Sequence, residues 1–177
     1  MTTTPARLGP SRIVCLTEET TEWLYLLGEE ARIVGISGYT VRPRRARDEK
    51  PRVSAFLTAK IDKILALEPD CVFGFSDLQA DIAAALVRQG VQVTVFNQRS
   101  VEEIFSMLWQ VAAMVGRGER GLELIGAMRE RHRCALRKHV VAAGEADQLG
   151  HPADAGNRRL VPFLEIDART ARQLRRG

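Results

Sequence analysis

The sequence lacks the glycine-rich and nucleophile-bearing motifs of many small α/β enzymes. After the first apolar run it reads Thr17-Glu18-Glu19-Thr20, where a dinucleotide-binding turn needs glycines, and two carboxylates would repel a pyrophosphate. Neither GxxxxGK nor GxSxG occurs. Glu18 and Glu19 have no visible catalytic partner, and acids at the positive end of a first helix explain them well. We therefore expect a protein that is not an enzyme and requires no cofactor.

Cysteine and histidine are also scarce. The three cysteines are Cys15, Cys71 and Cys134, and the three histidines are His132, His139 and His151. No cysteine pair has CxxC spacing, and two of the three lie in apolar runs, where a thiol acts as a small hydrophobe. Two histidines are seven residues apart, about 10 Å along a helix, which is too far to share one metal ion. The sequence predicts neither a disulfide framework nor a metal site.

Long hydrophobic runs are absent, and no stretch approaches the roughly 20 apolar residues that span a bilayer. The first residues, 1–11, contain threonine, proline and glycine but no apolar core of a signal peptide, so we expect a soluble, cytoplasmic chain. Lys and Arg number 26 against 22 Asp and Glu, and part of the excess lies in 42–47 and 169–176. Neither basic run is interleaved with aromatic residues, so we expect no nucleic-acid partner.

Strand-like and helix-like segments alternate through the first two-thirds of the chain. Short apolar or β-branched runs at 12–16, 32–37, 71–75 and 91–96 predict strands. Helical spacing between them, closed by glycine or proline, predicts the connecting helices. This order calls for an α/β fold, with a four-stranded parallel sheet flanked by helices. Ligands of such sheets bind at the carboxyl ends of the strands.

A different organisation is predicted after the sheet. Helical spacing over 101–115 and a glycine break at 116–118 precede a second, long helix that runs to about residue 143. We divide the chain into a disordered N-terminus (1–11), an α/β lobe (12–116), a long connecting helix (117–143) and an irregular tail (144–177). The tail is rich in glycine, aspartate, proline and arginine and is too short for another sheet domain.

Several segments resemble the helical-backbone periplasmic substrate-binding proteins, most of all their cobalamin receptors. They are RIVCLTEETTEWLYLLGEEARIVGISGYT, RVSAF, KIDKILALEPDCVFGF and LVRQGVQVTVFNQRSVEEI, in that order. The resemblance covers about 12–133, the N-terminal lobe and connecting helix. It implies a two-lobed protein that holds a metal chelate between its lobes and delivers it to an ABC-type importer. Because the tail is short and does not resemble a second lobe, we expect that lobe to be absent from this sequence, as truncation or a frameshift would explain.

The resemblance also implies site residues. Cobalamin receptors carry aromatic residues at three loops of the first lobe, and the matching positions here are Tyr39, Phe56 and Phe75. Three rings around one mouth suit a flat, bulky corrinoid; the competing interpretation is that Phe56 and Phe75 are ordinary core residues. An acid on each lobe docks on the importer permease, and the matching position is Asp62, where aspartate replaces the usual glutamate.

Three alternatives stay open at this point. The ligand of the same family plan could be haem or a ferric siderophore instead of a corrinoid. The chain could also be a remnant or interaction protein without a small ligand, which would self-associate through its exposed lobe surface. The family role further implies a periplasmic location if the start of the sequence is incomplete.

Overall fold

A computed structural model of the protein describes residues 9–55 and 59–148, with side chains described as far as residue 137. Five strands form one sheet. They are β1 (Ile13–Cys15), β2 (Ile33–Ser37), β3 (Arg52–Ser54), β4 (Cys71–Phe75) and β5 (Gln92–Phe96). All the pairings between these strands are parallel, and their order across the sheet is β3-β2-β1-β4-β5. The predicted parallel α/β sheet is confirmed.

The expected count of four strands is wrong by one. The additional strand, β3, pairs with the carboxyl half of β2 through Ile36 opposite Arg52 and Ser37 opposite Ser54. Its three residues are Arg-Val-Ser, of which Val53 is buried. An edge strand this short buries only one apolar side chain, so the sequence contains no apolar run that would predict it.

Six α-helices are described. They are α1 (Glu18–Leu26), α2 (Ala46–Glu49), α3 (Ile61–Leu65), α4 (Ala80–Arg88), α5 (Val101–Met114) and α6 (Gly118–Gln148). Ser100 begins α5 with a capping box, because its hydroxyl accepts from the Glu103 backbone N–H while the Glu103 carboxylate accepts from the Ser100 N–H. The long helix continues to Gln148, so residues 144–148, which the sequence assigns to the irregular tail, are helical.

The sheet is packed on both faces. On one face the buried core is formed by Val14, Leu16, Val53, Ile64, Val72, Ile82 and Leu86. On the other, the Phe73 and Phe96 rings lie 5.9 Å apart between centroids. The buried Trp23 indole of α1 donates a 2.7 Å hydrogen bond to the Leu108 carbonyl of α5 and joins these helices. Each face therefore buries the apolar side of its helices, as a parallel sheet requires.

The amino ends of the strands are fastened by a buried carboxylate. Glu29 is 1% exposed and accepts hydrogen bonds from the guanidinium groups of Arg32 and Arg117, one on each oxygen. Arg32 in turn donates to the carbonyl oxygens of Pro10 and Val115. The loop after α1, the N-terminal segment and the turn after α5 thus meet at one ion-paired cluster.

By its internal contacts the chain divides into two compact units, 1–122 and 123–177. The first contains the sheet. The described part of the second, residues 123–148, is helical. Among the described residues, no helix is long and apolar enough to cross a membrane.

Candidate functional site

The strand order reverses beside β1, at the carboxyl edge of the sheet. The chain passes from β1 outward to β2 and β3, then returns to the other side of β1 to form β4 and β5. Loops on the two sides of such a point diverge and leave a crevice, which is where open α/β sheets bind ligands. We therefore define the mouth as the loops that leave β1, β2, β4 and β5 at this edge.

Gln79 holds the two strands at the reversal together. Its side chain is 1% exposed, and its Oε1 accepts a 3.0 Å hydrogen bond from the Phe75 backbone N–H. Its Nε2 donates to the Leu16 carbonyl at 3.5 Å. A Cβ at Gly74 would lie 3.0 Å from Oε1, so this strand position must stay small to admit the amide. The mouth thus has a fixed floor between β1 and β4.

Tyr39 lies at the mouth, just beyond the end of β2. Its side chain is 63% exposed, a high value for a ring. The loop beneath is held by the Gly38 N–H, which donates to the Ser54 carbonyl at 2.7 Å, and by the Tyr39 N–H, which donates to Ser37 Oγ. The ring is therefore presented to solvent on a backbone tied to β2 and β3.

Phe75 ends β4 on the other side of β1 and is half-buried. The Arg99 guanidinium lies over its ring, 5.8 Å from the centroid, and is 3.4 Å from the Asp77 carboxylate. Ser76 follows with φ 59°, and its Oγ accepts from the Leu78 N–H to start the turn before α4. The ring is thus partly covered by a solvent-exposed cation, so the simple core interpretation does not describe it fully.

The two remaining predicted site residues are Phe56 and Asp62. Phe56 lies outside the described residues. Asp62 is exposed in the first turn of α3, which begins just after Lys60, whose N–H donates to the Val53 carbonyl of β3. Tyr39 and Phe75 share the carboxyl edge of the sheet, on opposite sides of β1.

A buried acid lies behind the mouth in α1. Glu22 is 8% exposed, and burial is the main reason that its pKa rises to about 7, against the opposing effect of Arg42. The Arg42 Nε lies 3.4 Å from the Glu22 carboxylate and 3.6 Å from the Glu18 carboxylate. The backbone N–H of Arg42 also donates a hydrogen bond to Glu18 Oε1. One guanidinium therefore lies within ion-pair distance of two carboxylates, and burial still keeps the pKa of Glu22 close to neutrality.

The cysteines match their apolar setting. Cys15 and Cys71 are buried and free, and burial raises the pKa of Cys15 to about 12 and that of Cys71 to about 11. Cys134 is free and exposed. In the part of the chain that the structure describes, no group of three His, Cys, Asp or Glu side chains could hold a metal ion. His132 lies in α6, whereas the side chains of His139 and His151 lie outside the described residues.

Three features of the mouth escaped prediction from the sequence. They are the Gln79 bridge, the Arg99 cation over Phe75, and the shared Arg42 partner of Glu18 and Glu22. Each joins residues at least four positions apart across loops, where hydrophobic periodicity carries no signal. The one available signal was Gly74 within an otherwise bulky strand, a pattern that marks close approach of another group.

Comparison with known proteins adds a family to this geometry. The periplasmic binding protein family model matches residues 13–137. Because that match covers more than half of the chain, the protein belongs to the periplasmic binding protein family. Among the curated proteins, none matches the chain.

Several solved structures share the fold of this chain. A vitamin B12-binding protein of Vibrio cholerae matches with a TM-score of 0.66 and 24% identity, over 75% of this chain and 52% of that one. A haem-binding protein of Pseudomonas aeruginosa gives 0.65 and 24%, over 78% and 49%. An ABC transporter substrate-binding protein of Listeria monocytogenes gives 0.61 and 22%, over 69% and 46%. The chain thus spans about half the length of the solved structures it matches.

Proposed function

We propose that this chain is the first lobe of a substrate-binding component that delivers a corrinoid, such as cobalamin, to an ABC importer. The family match supports the class of protein. The observation that carries the ligand assignment is the exposed Tyr39 ring at the same sheet edge as the half-buried Phe75 ring. With Phe56, they would supply three apolar surfaces for a macrocycle.

The physical case rests on the size and polarity of the ligand. A corrin ring presents a broad apolar face and amide-bearing edges, so aromatic side chains can bury much of it at small entropic cost. Exposure of 63% of the Tyr39 side chain to water is unfavourable, and a bound macrocycle would cover that apolar surface. A single lobe contacts one side of a ligand, so we expect this chain, tested by itself, to bind more weakly than a two-lobed trap.

Haem is the second candidate ligand, and a specific observation favours it. Arg99 places a cation over Phe75 at the mouth, where it could pair with the carboxylates at the edge of a haem. Cobalamin carries mainly neutral amides at that edge. A ferric siderophore remains a third member of the same set, and its binding would likewise be an outcome of the ligand test below.

The importer permease is the proposed partner, and Asp62 is the proposed docking residue. Its carboxylate is exposed and forms no hydrogen bond or ion pair with the described residues. An unpaired surface acid can meet an arginine of a partner without first breaking an internal contact. We also propose weak self-association through the mouth in the absence of ligand, because its aromatic surface would otherwise face water.

The test is calorimetric titration of the full chain with cyanocobalamin, dicyanocobinamide and haem, together with the visible spectrum of each ligand. Binding of both corrinoids and weak or no binding of haem is the expected result. Haem binding without corrinoid binding would transfer the assignment to the second candidate. Absence of binding by all three, with a strictly monomeric protein in light scattering, would overturn both the corrinoid proposal and the self-association.

A further inference from the structure

A basic cavity lies on the part of the β2–β3 loop that follows Tyr39. It is open to solvent, has a volume of about 380 Å³ and is lined by four exposed residues, Val41, Arg44, Arg47 and Asp48. The segment follows α1 from end to end, since Arg42 pairs with Glu18 in the first turn of that helix and Arg45 pairs with Glu30 just after it. The segment that carries the cavity therefore packs along α1.

The arginines of this segment divide into two pairs with different roles. Arg42 and Arg45 make contacts within the lobe. Arg42 forms ion pairs with Glu18 and Glu22. Arg45 forms an ion pair with Glu30, and its guanidinium lies 4.7 Å from the centroid of the Tyr25 ring. These contacts, with the fully buried Ala46, fasten the segment to the lobe. Its shape is therefore set without help from the other two arginines.

Arg44 and Arg47 form the second pair, and they face the cavity. The Arg47 N–H donates to the Arg44 carbonyl at 3.1 Å, so the residues are one turn apart and project to one side. Both are exposed, and neither forms an ion pair within the described residues. Asp48 also lines the cavity but makes no ion pair of its own there. The cavity is thus bordered by one carboxylate and by two guanidinium groups that form no ion pair within the described residues.

This combination selects a particular ligand chemistry. Guanidinium groups bind carboxylates through paired N–H donors, and two of them match a dicarboxylate. A carboxylate in the same wall repels a plain dianion but accepts a hydrogen bond from a hydroxyl group. Val41, 57% exposed, offers an apolar side wall for a short carbon chain. We propose that the basic cavity is a binding site for a small hydroxy-dicarboxylate, with Arg44 and Arg47 holding its carboxylates and Asp48 its hydroxyl.

The test compares malate with succinate, which differ by the hydroxyl group, in calorimetric titrations of the full chain. We expect malate to bind more tightly than succinate by a factor on the order of ten. Arg44→Gln and Arg47→Gln should each weaken malate binding about tenfold. Asp48→Ala, which removes the acceptor of the hydroxyl, should bring the two affinities together. The matched control is Arg88→Gln, which removes one exposed charge at the end of α4 and should leave malate binding unchanged.

Failure of this site is distinguishable from failure of the corrinoid site at Tyr39 and Phe75, because neither ligand contains a corrin. No binding of malate at millimolar concentrations would overturn the proposal. Equal weakening by Arg88→Gln would also overturn it, since binding would then follow net charge alone. Equal affinity for malate and succinate in the unaltered protein would refute the role of Asp48 and with it the hydroxy-acid assignment. None of these outcomes bears on corrinoid binding.

Discussion

The Gln79 side chain accepts a 3.0 Å hydrogen bond from the backbone N–H of Phe75, at the point where the strand order reverses. The same amide donates to the Leu16 carbonyl, so one polar side chain joins the ends of two neighbouring strands. A buried amide in this position is costly unless it is fully paired. The residue therefore belongs to the floor of the mouth and not to the surface that a ligand would touch.

Gln79→Leu should destabilise the lobe, because it keeps the side-chain volume but leaves the Phe75 N–H without its amide partner. We expect a loss of about 1–3 kcal/mol in the free energy of unfolding, measured by urea denaturation. Gln89→Leu, at the exposed end of α4, is the control and should change stability by less than about 0.5 kcal/mol. Equal stability of the two variants would contradict the structural role of Gln79.

Glu29→Gln should destabilise the protein by about 2–3 kcal/mol, since two arginines would lose the charge that they share. This range is held below that of a fully buried pair because Arg117 is half-exposed. The exposed Glu119→Gln is the control. Chemical denaturation at pH 7 compares the three proteins.

The same carboxylate predicts a pH dependence. Burial opposes ionisation of Glu29, but hydrogen bonds and charges from Arg117 and Arg32 outweigh it and hold the pKa below its ordinary value of 4.5. The unfolded chain therefore binds a proton first as the pH falls. The stability from Glu29 is present above pH 4.5 and is lost as the pH falls below it. Glu29→Gln should flatten that acid limb, and an unchanged limb would count against the prediction.

Glu22 predicts the opposite pH dependence. Its folded pKa of about 7 lies above the ordinary 4.5, so between these values the folded state holds a proton that the unfolded state has released. Stability should fall as the pH rises through this window. Glu22→Gln should match the unaltered protein at pH 4 and exceed it by about 1–2 kcal/mol at pH 8, by urea denaturation. Lower stability of the variant at pH 8 would mean that the Arg42 ion pair outweighs burial.

The sequence predicted well what depends on hydrophobic runs and poorly what depends on single polar contacts. Four strands were located to within a residue at each end, because each is a short apolar or β-branched run between turn residues. The fifth, β3, was missed, since its one buried residue, Val53, gives no period. Within the mouth, Tyr39 and Phe75 were predicted from the resemblance to the cobalamin receptors, which carry aromatic residues at these positions. Gln79 and Arg99 could not be, because their partners are fixed by loop geometry.

The combined variant Tyr39→Ala/Phe75→Ala tests the mouth most directly. If the two rings bind the macrocycle, their removal should weaken any corrinoid binding by at least tenfold, because each buried ring contributes a large apolar area. Tyr39→Ala alone should leave stability nearly unchanged, since its side chain is 63% exposed. Phe75→Ala should cost about 1–2 kcal/mol, less than a fully buried phenylalanine. Calorimetry and urea denaturation measure the two effects.

The control for this variant is Val87→Ala, which shortens an exposed apolar side chain on α4, away from the mouth. It should alter neither corrinoid affinity nor stability by a measurable amount. A combined variant that folds as the unaltered protein does and binds corrinoid equally well would remove the aromatic mouth as the ligand site. A large loss of stability from Phe75→Ala alone would instead assign that ring to the core and leave Tyr39 as the ring that meets the ligand.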